Sequence, residues 1–530
     1  MPPRPAPLKL AHSLLAALVA LLLVLPAAAA EPPRTGPAGY NKALTEAVLH
    51  NAFVALRDRH LSAVRLADMS AAALAGMAAL DPSAAVTRRG DMVRLMLDGR
   101  LVAAWRAPAA ADALAWAQLT AGLAKAAQAA PGIRRAGQGP LLRAMFDEMT
   151  AGLDPYTRYV PPEEARESRS RRQGEGGIGL RAVPAEGGAL VVEVAPDSPA
   201  AHAGLSEGDR ILAIDGAGTR ALSSTQLAAR LAGDEDTRLV LTVRQGGTRR
   251  SLTLIRALIV PETVFAERQG SVLVLRLSGF NELTDQRLSR HVLAAAHLQG
   301  LSGIVLDLRG NRGGLLRQAV GVVDVFLAEG EVAATRGRHP EAARAYVAGG
   351  ADLAGGLPLA VLIDGRAASA AEIVAAALQE RGRAAVVGSV SQGKGLVQTV
   401  LRLPDDGELV VSWSRVLVPP GRPLHELGVL PTLCTTLGPE AEAEQLAQLR
   451  RGQAPMAESL AALRALRAPP SRAEVARLRE TCPPQDLSQA GNTALPAAIA
   501  LLTDQAAMAT ALGRAHSQPQ RRAETLAGGN

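Results

Sequence analysis

Residues 359–398 read LAVLIDGRAASAAEIVAAALQERGRAAVVGSVSQGKGLVQ, and the order of apolar runs and turns in them decides the fold. Leu359–Ile363 is an uninterrupted apolar run of strand length that enters the turn Asp364-Gly365-Arg366. Ala368-Ser369-Ala370 follows and opens an apolar helix, expected from Ala371 to about Glu380. Ala384–Val387 is a second strand of buried type, leading into Gly393-Lys394-Gly395. Ser369 therefore falls where a strand hands over to a helix, beside the helix's free N–H groups and positive dipole end. Such a junction suits a nucleophile, because a developing oxyanion needs pre-placed donors.

Lys394 is the sharper signal. The chain holds 57 Lys plus Arg, yet its lysines are only Lys9, Lys42, Lys125 and Lys394. A lysine kept between two glycines in so arginine-rich a chain suggests a task that guanidinium cannot do. Losing a proton is that task. Taken singly, Ser369 reads as a helix N-cap and Lys394 as a solvated turn residue; taken together they fit a Ser/Lys dyad. Gly388–Gly395, GSVSQGKG, approaches a phosphate-binding loop, but Gly395 stands where the magnesium-binding Ser/Thr must be. If Lys394 to Gln398 is a strand, positions 394 and 398 share a face, which turns the Gln398 amide toward the same site.

Outward from this stretch the pattern repeats. Val272–Leu277 reads as a strand, Thr284–Leu298 as a helix, and Ile304–Leu308 as a strand running into Arg309-Gly310-Asn311-Arg312-Gly313-Gly314 and a helix over Leu315–Leu327. Strands at Val400–Leu403 and Leu409–Leu417 flank Asp405-Asp406-Gly407. Upstream, Gly176-Gly177-Ile178-Gly179-Leu180 precedes a strand at Leu190–Val194, then Gly208-Asp-Arg-Ile-Leu-Ala-Ile-Asp-Gly216, an amphipathic helix at Ser224–Leu231 and strands at Leu239–Val243 and Arg250–Leu254. Backbone N–H groups around Gly177–Leu180 can hold a terminal carboxylate, and the strand edge that follows can pair with an extended peptide.

Ser369-Ala-Ala-Glu372-Ile and Gly393-Lys394-Gly395-Leu-Val-Gln398 resemble the carboxyl-terminal processing (tail-specific) proteases, a family of PDZ-containing Ser/Lys endopeptidases. Two serines usual around the nucleophile are alanine here, and Gln392 replaces a phenylalanine. Asp307-Leu-Arg-Gly-Asn311-Arg-Gly313-Gly314 keeps the family frame, with Arg312 where proline is common, and the resemblance extends over about residues 140–432. It implies a twisted α/β protease core with an inserted PDZ-like domain and helical N- and C-terminal regions. It also implies Ser369 as nucleophile, Lys394 as base and Gln398 as helper. Gly313 (or Gly314) and Ala370 would be the oxyanion donors, and Gly177, Ile178, Gly179 and Leu180 would hold peptide. The expected division is a signal peptide at 1–30, a mostly helical region and linker at 31–172, a PDZ-like domain at 173–262, the protease core at 263–437 and an Ala/Arg-rich helical tail at 438–530 with a disordered end. Glu163–Gln173, charged and Ser/Arg-rich, reads as the linker. Ala441–Leu466 and Arg472–Glu480 read as the best tail helices. The stretch near 83–140 is longer than the family usually carries and includes a hairpin expected around Asp98-Gly99.

Composition sets the remaining bounds. Apolar residues make up 48% and charged ones 20%, which indicates a globular chain, whereas aromatics are only 2%, so cores must be built from Ala, Leu and Val. The net charge of +7 comes from scattered arginines without interleaved aromatics, which argues against nucleic-acid binding. Arg4 and Lys9 before the Ser13–Leu25 run, then Pro26-Ala-Ala-Ala-Ala30, form a secretory signal too short for a comfortable membrane span. The expected location is the periplasm or cell envelope of a bacterium, with no span after signal cleavage and an uncleaved anchor as the alternative. In that oxidising setting Cys434 and Cys482 read as a disulfide, although two free buried thiols would look the same. The nine histidines form no HExxH or Cys-paired cluster, so neither metal nor cofactor is expected; His425 reads as a surface residue. Partners are protein substrates held by their C-terminal tails, with a homo-oligomer or an adaptor left open. The competing function is a catalytically silent PDZ-containing scaffold.

Overall fold

The computed structural model describes residues 39–296, 299–468, 470–486 and 493–513. The stretch read as an export signal and the chain end expected to be disordered lie outside the described residues.

Four strands buried along their whole length, Gly303–Asp307, Leu359–Ile363, Ala384–Gly388 and Leu433–Cys434, build the centre. A six-stranded sheet runs in the order Val264–Gln269, Val272–Leu277, Gly303–Asp307, Leu359–Ile363, Ala384–Gly388, Leu433–Cys434. The first strand is antiparallel to the second and every other pairing is parallel. Parallel strands need helices on both faces. On one face, the helices Thr284–Ala296, Leu316–Asp324 and Ala370–Glu380 close over Leu275, Leu306, Val361 and Val386. The other face carries Val305, Leu362 and Val387, and the tail covers it through Leu449, Ala498, Leu501 and Met508. The tail, to which the sequence assigned no role, is thus the second layer of the core.

A second sheet packs beside the first in the order Arg344–Ala348, Gly330–Gly337, Glu408–Val418, Leu396–Arg402. Arg158–Val160 adds to Glu408–Val418. Leu409 and Val411 of that strand point into the N-terminal helical cluster around Phe53, Leu56, Leu123 and Phe146. Residues Leu180–Ala185, Gly188–Val194, Arg210–Ile214, Arg238–Gln245 and Thr248–Ile255 form a separate sheet over the core of Ile211, Leu227, Leu241 and Val243.

Several local expectations change. The hairpin at Asp98-Gly99 forms, but Ala84–Arg89 adds a third strand to it. Pro162–Gln173, expected to be a linker, is a helix. Proline opens it, Glu163 and Glu164 occupy its first turn, and Arg171 and Arg172 its last, as the helix dipole favours. Arg169 and Arg172 of this helix both pair with buried Glu408, at 3.1 and 2.9 Å, which ties it to the core. The single tail helix expected over Ala441–Leu466 is two, Pro439–Arg450 and Ala457–Ala465, because Gly452 takes a φ of +80° and Pro455 follows. Ala494–Leu502 and Gln505–Ala511 are further tail helices.

Cys434 and Cys482 are bonded to each other across 48 residues of sequence. The bond holds the segment after helix Arg472–Glu480 against the Asp364–Arg366 turn: Gly365 N–H donates to Gln485 O at 2.8 Å, and Arg366 pairs with Asp486 at 2.9 Å. Closing a loop of this length removes unfolded-state entropy worth about 4 kcal/mol in the chain-entropy view. Reduction, or Cys434→Ser with Cys482→Ser, is expected to lower the thermal midpoint by several degrees. Calorimetry with and without reductant checks this, and an unchanged midpoint would count against it.

Candidate active site

Ser369 sits at the turn between strand Leu359–Ile363 and helix Ala370–Glu380 with φ +58° and ψ −116°. A non-glycine residue in this sparsely populated region costs about 1–3 kcal/mol, and the surroundings must hold it there. A strained strand-to-helix turn of this kind presents a serine hydroxyl outward. Buried Asp364 accepts the N–H groups of Gly310, Arg366 and Ala367 with one carboxylate oxygen, locking the two glycine-bearing loops together. Asn311, 1% exposed, accepts Ala368 N–H on its carbonyl oxygen and donates through Nδ2 to Leu277 O.

The two glycines before helix Leu316–Asp324 separate into different tasks. Gly313 N–H is committed to Asn311 Oδ1 at 2.8 Å. Among the described residues, neither Gly314 N–H nor Ala370 N–H has a hydrogen-bond partner. Gly313 takes a φ of +93°, and a Cβ there would lie 2.9 Å from Ser369 Cβ and 3.0 Å from Ala370 N. The glycine turn therefore abuts the serine so closely that no side chain fits.

Glu372 is the residue the sequence reading quoted without giving it a role. It is 0% exposed, and its carboxylate takes four donors: Ser391 Oγ–H and Gly393 N–H on Oε1, and Ser369 N–H and Lys394 N–H on Oε2. The backbones of Ser369 and Lys394 are thus fastened to one oxygen, at 2.7 and 2.9 Å. Burial pushes the Glu372 carboxyl above its ordinary value, with its four donors only partly opposing the rise. A serine followed three residues later by glutamate at a helix start has capping-box spacing, the signal that could have singled it out.

Lys394 precedes strand Leu396–Arg402 and is only partly exposed. A Cβ at Gly395 would lie 2.2 Å from His425 N, so the backbones touch there and glycine is required. Burial lowers the ammonium's pKa, the charge of Arg158 lowers it further, and Glu372 opposes both. The Nζ lies over the Tyr156 ring, 4.9 Å from its centroid. Among the described residues, no hydrogen bond joins it to Ser369 Oγ.

Gln398 does not share a strand face with Lys394: the strand begins at Leu396 and its pairing bulges between Val397 and Gln398. The Gln398 amide instead donates to Leu396 O and Ser412 Oγ. Ser412 Oγ in turn donates to Asp154 Oδ1 at 2.8 Å, and Asp154 Oδ2 meets His60 Nε2 at 3.1 Å. Burial would raise the Asp154 carboxyl, but hydrogen bonds with His60, Thr157 and Ser412 outweigh it and hold the group well below the usual range. This carboxylate fixes the turn that carries Tyr156. His425 is not a surface residue: it is half-buried, edge-on to Tyr156 at 6.5 Å between centroids, and burial lowers its pKa. Sequence placed it in a Gly/Pro-flanked loop; packing of that loop on Gly393–Gly395 brings it in.

Gly177, Ile178, Gly179 and Leu180 lie apart from this centre, where strand Glu175–Gly177 passes into strand Leu180–Ala185. Leu180–Ala185 ends its sheet, and helix Ser224–Leu231 packs against it, making a strand-and-helix groove. Among the described residues, no group of three or more His, Cys, Asp or Glu side chains is placed to hold a metal ion.

The peptidase family S41 model matches residues 271–434, and a PDZ-domain model matches residues 190–245. The carboxy-terminal-processing protease of Bartonella bacilliformis is 35% identical over 299 residues, which span 55% of this chain and 69% of that protein. The carboxyl-terminal-processing protease of Synechocystis sp. is 37% identical over 298 residues, 54% and 69% of the two chains. A solved photosystem II D1 C-terminal processing protease is 27% identical, with a TM-score of 0.34 over 62% of this chain and 90% of its own. The chain belongs to the carboxyl-terminal-processing proteases of peptidase family S41 and is a PDZ-bearing serine-type endopeptidase.

Proposed function

We propose that this chain is an exported endopeptidase that holds envelope or secreted proteins by their C-terminal tails and cuts them with a Ser369/Lys394 dyad. One observation carries the reading: a single buried carboxylate, that of Glu372, fastens the backbones of both residues while Ser369 is held at a strained strand-to-helix turn. Lys394 swings from the Tyr156 ring to Ser369 Oγ, since catalytic hydrogen bonds tighten only as the reacting complex forms. The neutral amine takes the hydroxyl proton as Oγ bonds to the scissile carbonyl carbon. The oxyanion sits on Gly314 N–H and Ala370 N–H, with Gly313 shaping the turn that aims them. Collapse breaks the C–N bond, and the lysine's proton passes to the leaving amine. Water, deprotonated by the same lysine, then releases the acyl group. Gln398 acts by holding Ser412 and, through it, the Asp154–Tyr156 turn.

The basic-then-apolar N-terminus supports export to the periplasm or envelope. No single described helix is long and apolar enough to cross a membrane; one bent pair, Ala494–Leu502 with Gln505–Ala511, passes that test together. Those two helices cover the core sheet, which favours a packing role for them. The proposed units are 31–172, PDZ 173–262, core 263–437 and tail 438–530.

The deciding experiment is cleavage of casein and labelling by a fluorophosphonate, for wild type and Ser369→Ala. Loss of both in the variant supports the reading; retention of either overturns it. Deleting residues 173–262 is expected to reduce cleavage of tail-bearing proteins at least tenfold while changing cleavage of short unstructured peptides far less. Equal loss on both substrates would assign that unit an allosteric role instead of tethering.

A further inference from the structure

The PDZ sheet has a second face, away from its peptide groove, and its charges are arranged at a cost. Leu241 and Val243 point into the core, so Arg244 points out. In the sheet register Arg244 stands directly opposite Arg249 on one neighbouring strand and Arg210 on the other. Like charges directly opposite one another on adjacent strands destabilise a sheet. Arg210 is turned away to the carbonyl of Glu186. Among the described residues, neither Arg244 nor Arg249 makes a side-chain hydrogen bond or an ion pair, and the same holds for Arg220 on the facing loop.

These three guanidinium groups rim one hollow of about 390 Å³, with Gly187, Leu212 and Gly218 in its lining. It shares no residue with Gly177–Leu180 or with helix Ser224–Leu231. A row of opposed arginines left without carboxylates is relieved by a ligand carrying several acceptor oxygens and negative charge. Guanidinium forks match phosphate oxygens in pairs. We propose that this hollow is an anion site that takes a phosphate-bearing group, and so gives the PDZ unit a second, non-peptide ligand. The group reaches it either on an anionic phospholipid or as a soluble phosphate.

The test uses the full chain, with inorganic phosphate by titration calorimetry and with flotation on vesicles of phosphatidylglycerol plus phosphatidylcholine against phosphatidylcholine alone. Arg244→Gln with Arg249→Gln is compared with Arg89→Gln plus Arg100→Gln, which removes equal charge from exposed positions of the N-terminal sheet. Removing two arginines from the site is expected to weaken binding about tenfold or more, and removing the two distant ones by less than twofold. Binding of anionic vesicles, with or without free phosphate, that is lost in the site variant identifies the lipid headgroup as the source, and binding of phosphate without vesicles identifies a soluble one. Failure of both probes, or an equal loss in the distant variant, overturns the site and leaves only diffuse surface attraction.

Discussion

Lys394→Arg is expected to abolish peptide-bond hydrolysis while leaving the protein folded and able to bind tail peptides. A free lysine titrates near 10.4, so only a minute fraction is a base at neutral pH. Here burial and the charge of Arg158 lower that value. Each unit of lowering multiplies the neutral fraction about tenfold. Arginine keeps the charge and cannot give up its proton under these conditions. Lys394→Ala should be equally silent. The sign of the pH dependence follows from the same shift: the base is inactive when protonated, so kcat/KM rises with pH through the lowered lysine pKa and levels above it. Kinetics on a short peptide, with circular dichroism as the folding control, checks all three. More than a trace of activity in Lys394→Arg would move the base to another residue, His425 being the nearest alternative beside the Tyr156 ring.

Changes at Glu372 are expected to separate position from chemistry. Glu372→Leu orphans four donors, each at about 1–3 kcal/mol when left unmade in the interior. A net stability of about 5–15 kcal/mol does not absorb such a loss easily, so the variant should unfold far earlier or fail to fold. Glu372→Gln is gentler and more informative. Its NH2 group can face the Ser391 hydroxyl oxygen, which already accepts Val429 N–H, so the hydroxyl proton must turn away and Gly393 N–H loses its acceptor. The amide oxygen still takes Ser369 N–H and Lys394 N–H. This variant should fold with a modestly lowered midpoint and lose about ten- to a hundredfold in kcat with KM little changed, as expected when reacting groups are slightly misplaced. Wild-type turnover by Glu372→Gln together with full stability of Glu372→Leu would remove the residue from any positioning role.

Much of this was legible in the chain itself, because the signals are local. Leu359–Ile363 and Ala384–Gly388 are short apolar runs bounded by turns, and a run buried on both faces reads the same whichever neighbours it acquires. Helix Ser224–Leu231 was equally plain, since its amphipathic spacing states which face it buries. The scarcity of lysine made Lys394 conspicuous without any coordinates.

Other features depend on contacts between distant segments. Nothing near Glu372 in sequence shows that Gly393 and Lys394, more than twenty residues on, will bring their N–H groups to its carboxylate. Helix Pro162–Gln173 has poor apolar periodicity, and it is fixed by Arg169 and Arg172 reaching Glu408, over two hundred residues away. Tyr156 and His425 meet at Lys394 only because strand Arg158–Val160 joins the second sheet and the 424–426 loop packs on two glycines. The order of residues alone disclosed strands, turns and the two side chains proposed as nucleophile and base. Tertiary structure alone decided which backbone donors stay unpaired beside them, because hydrogen bonds across loops are set by packing and leave no period in the sequence.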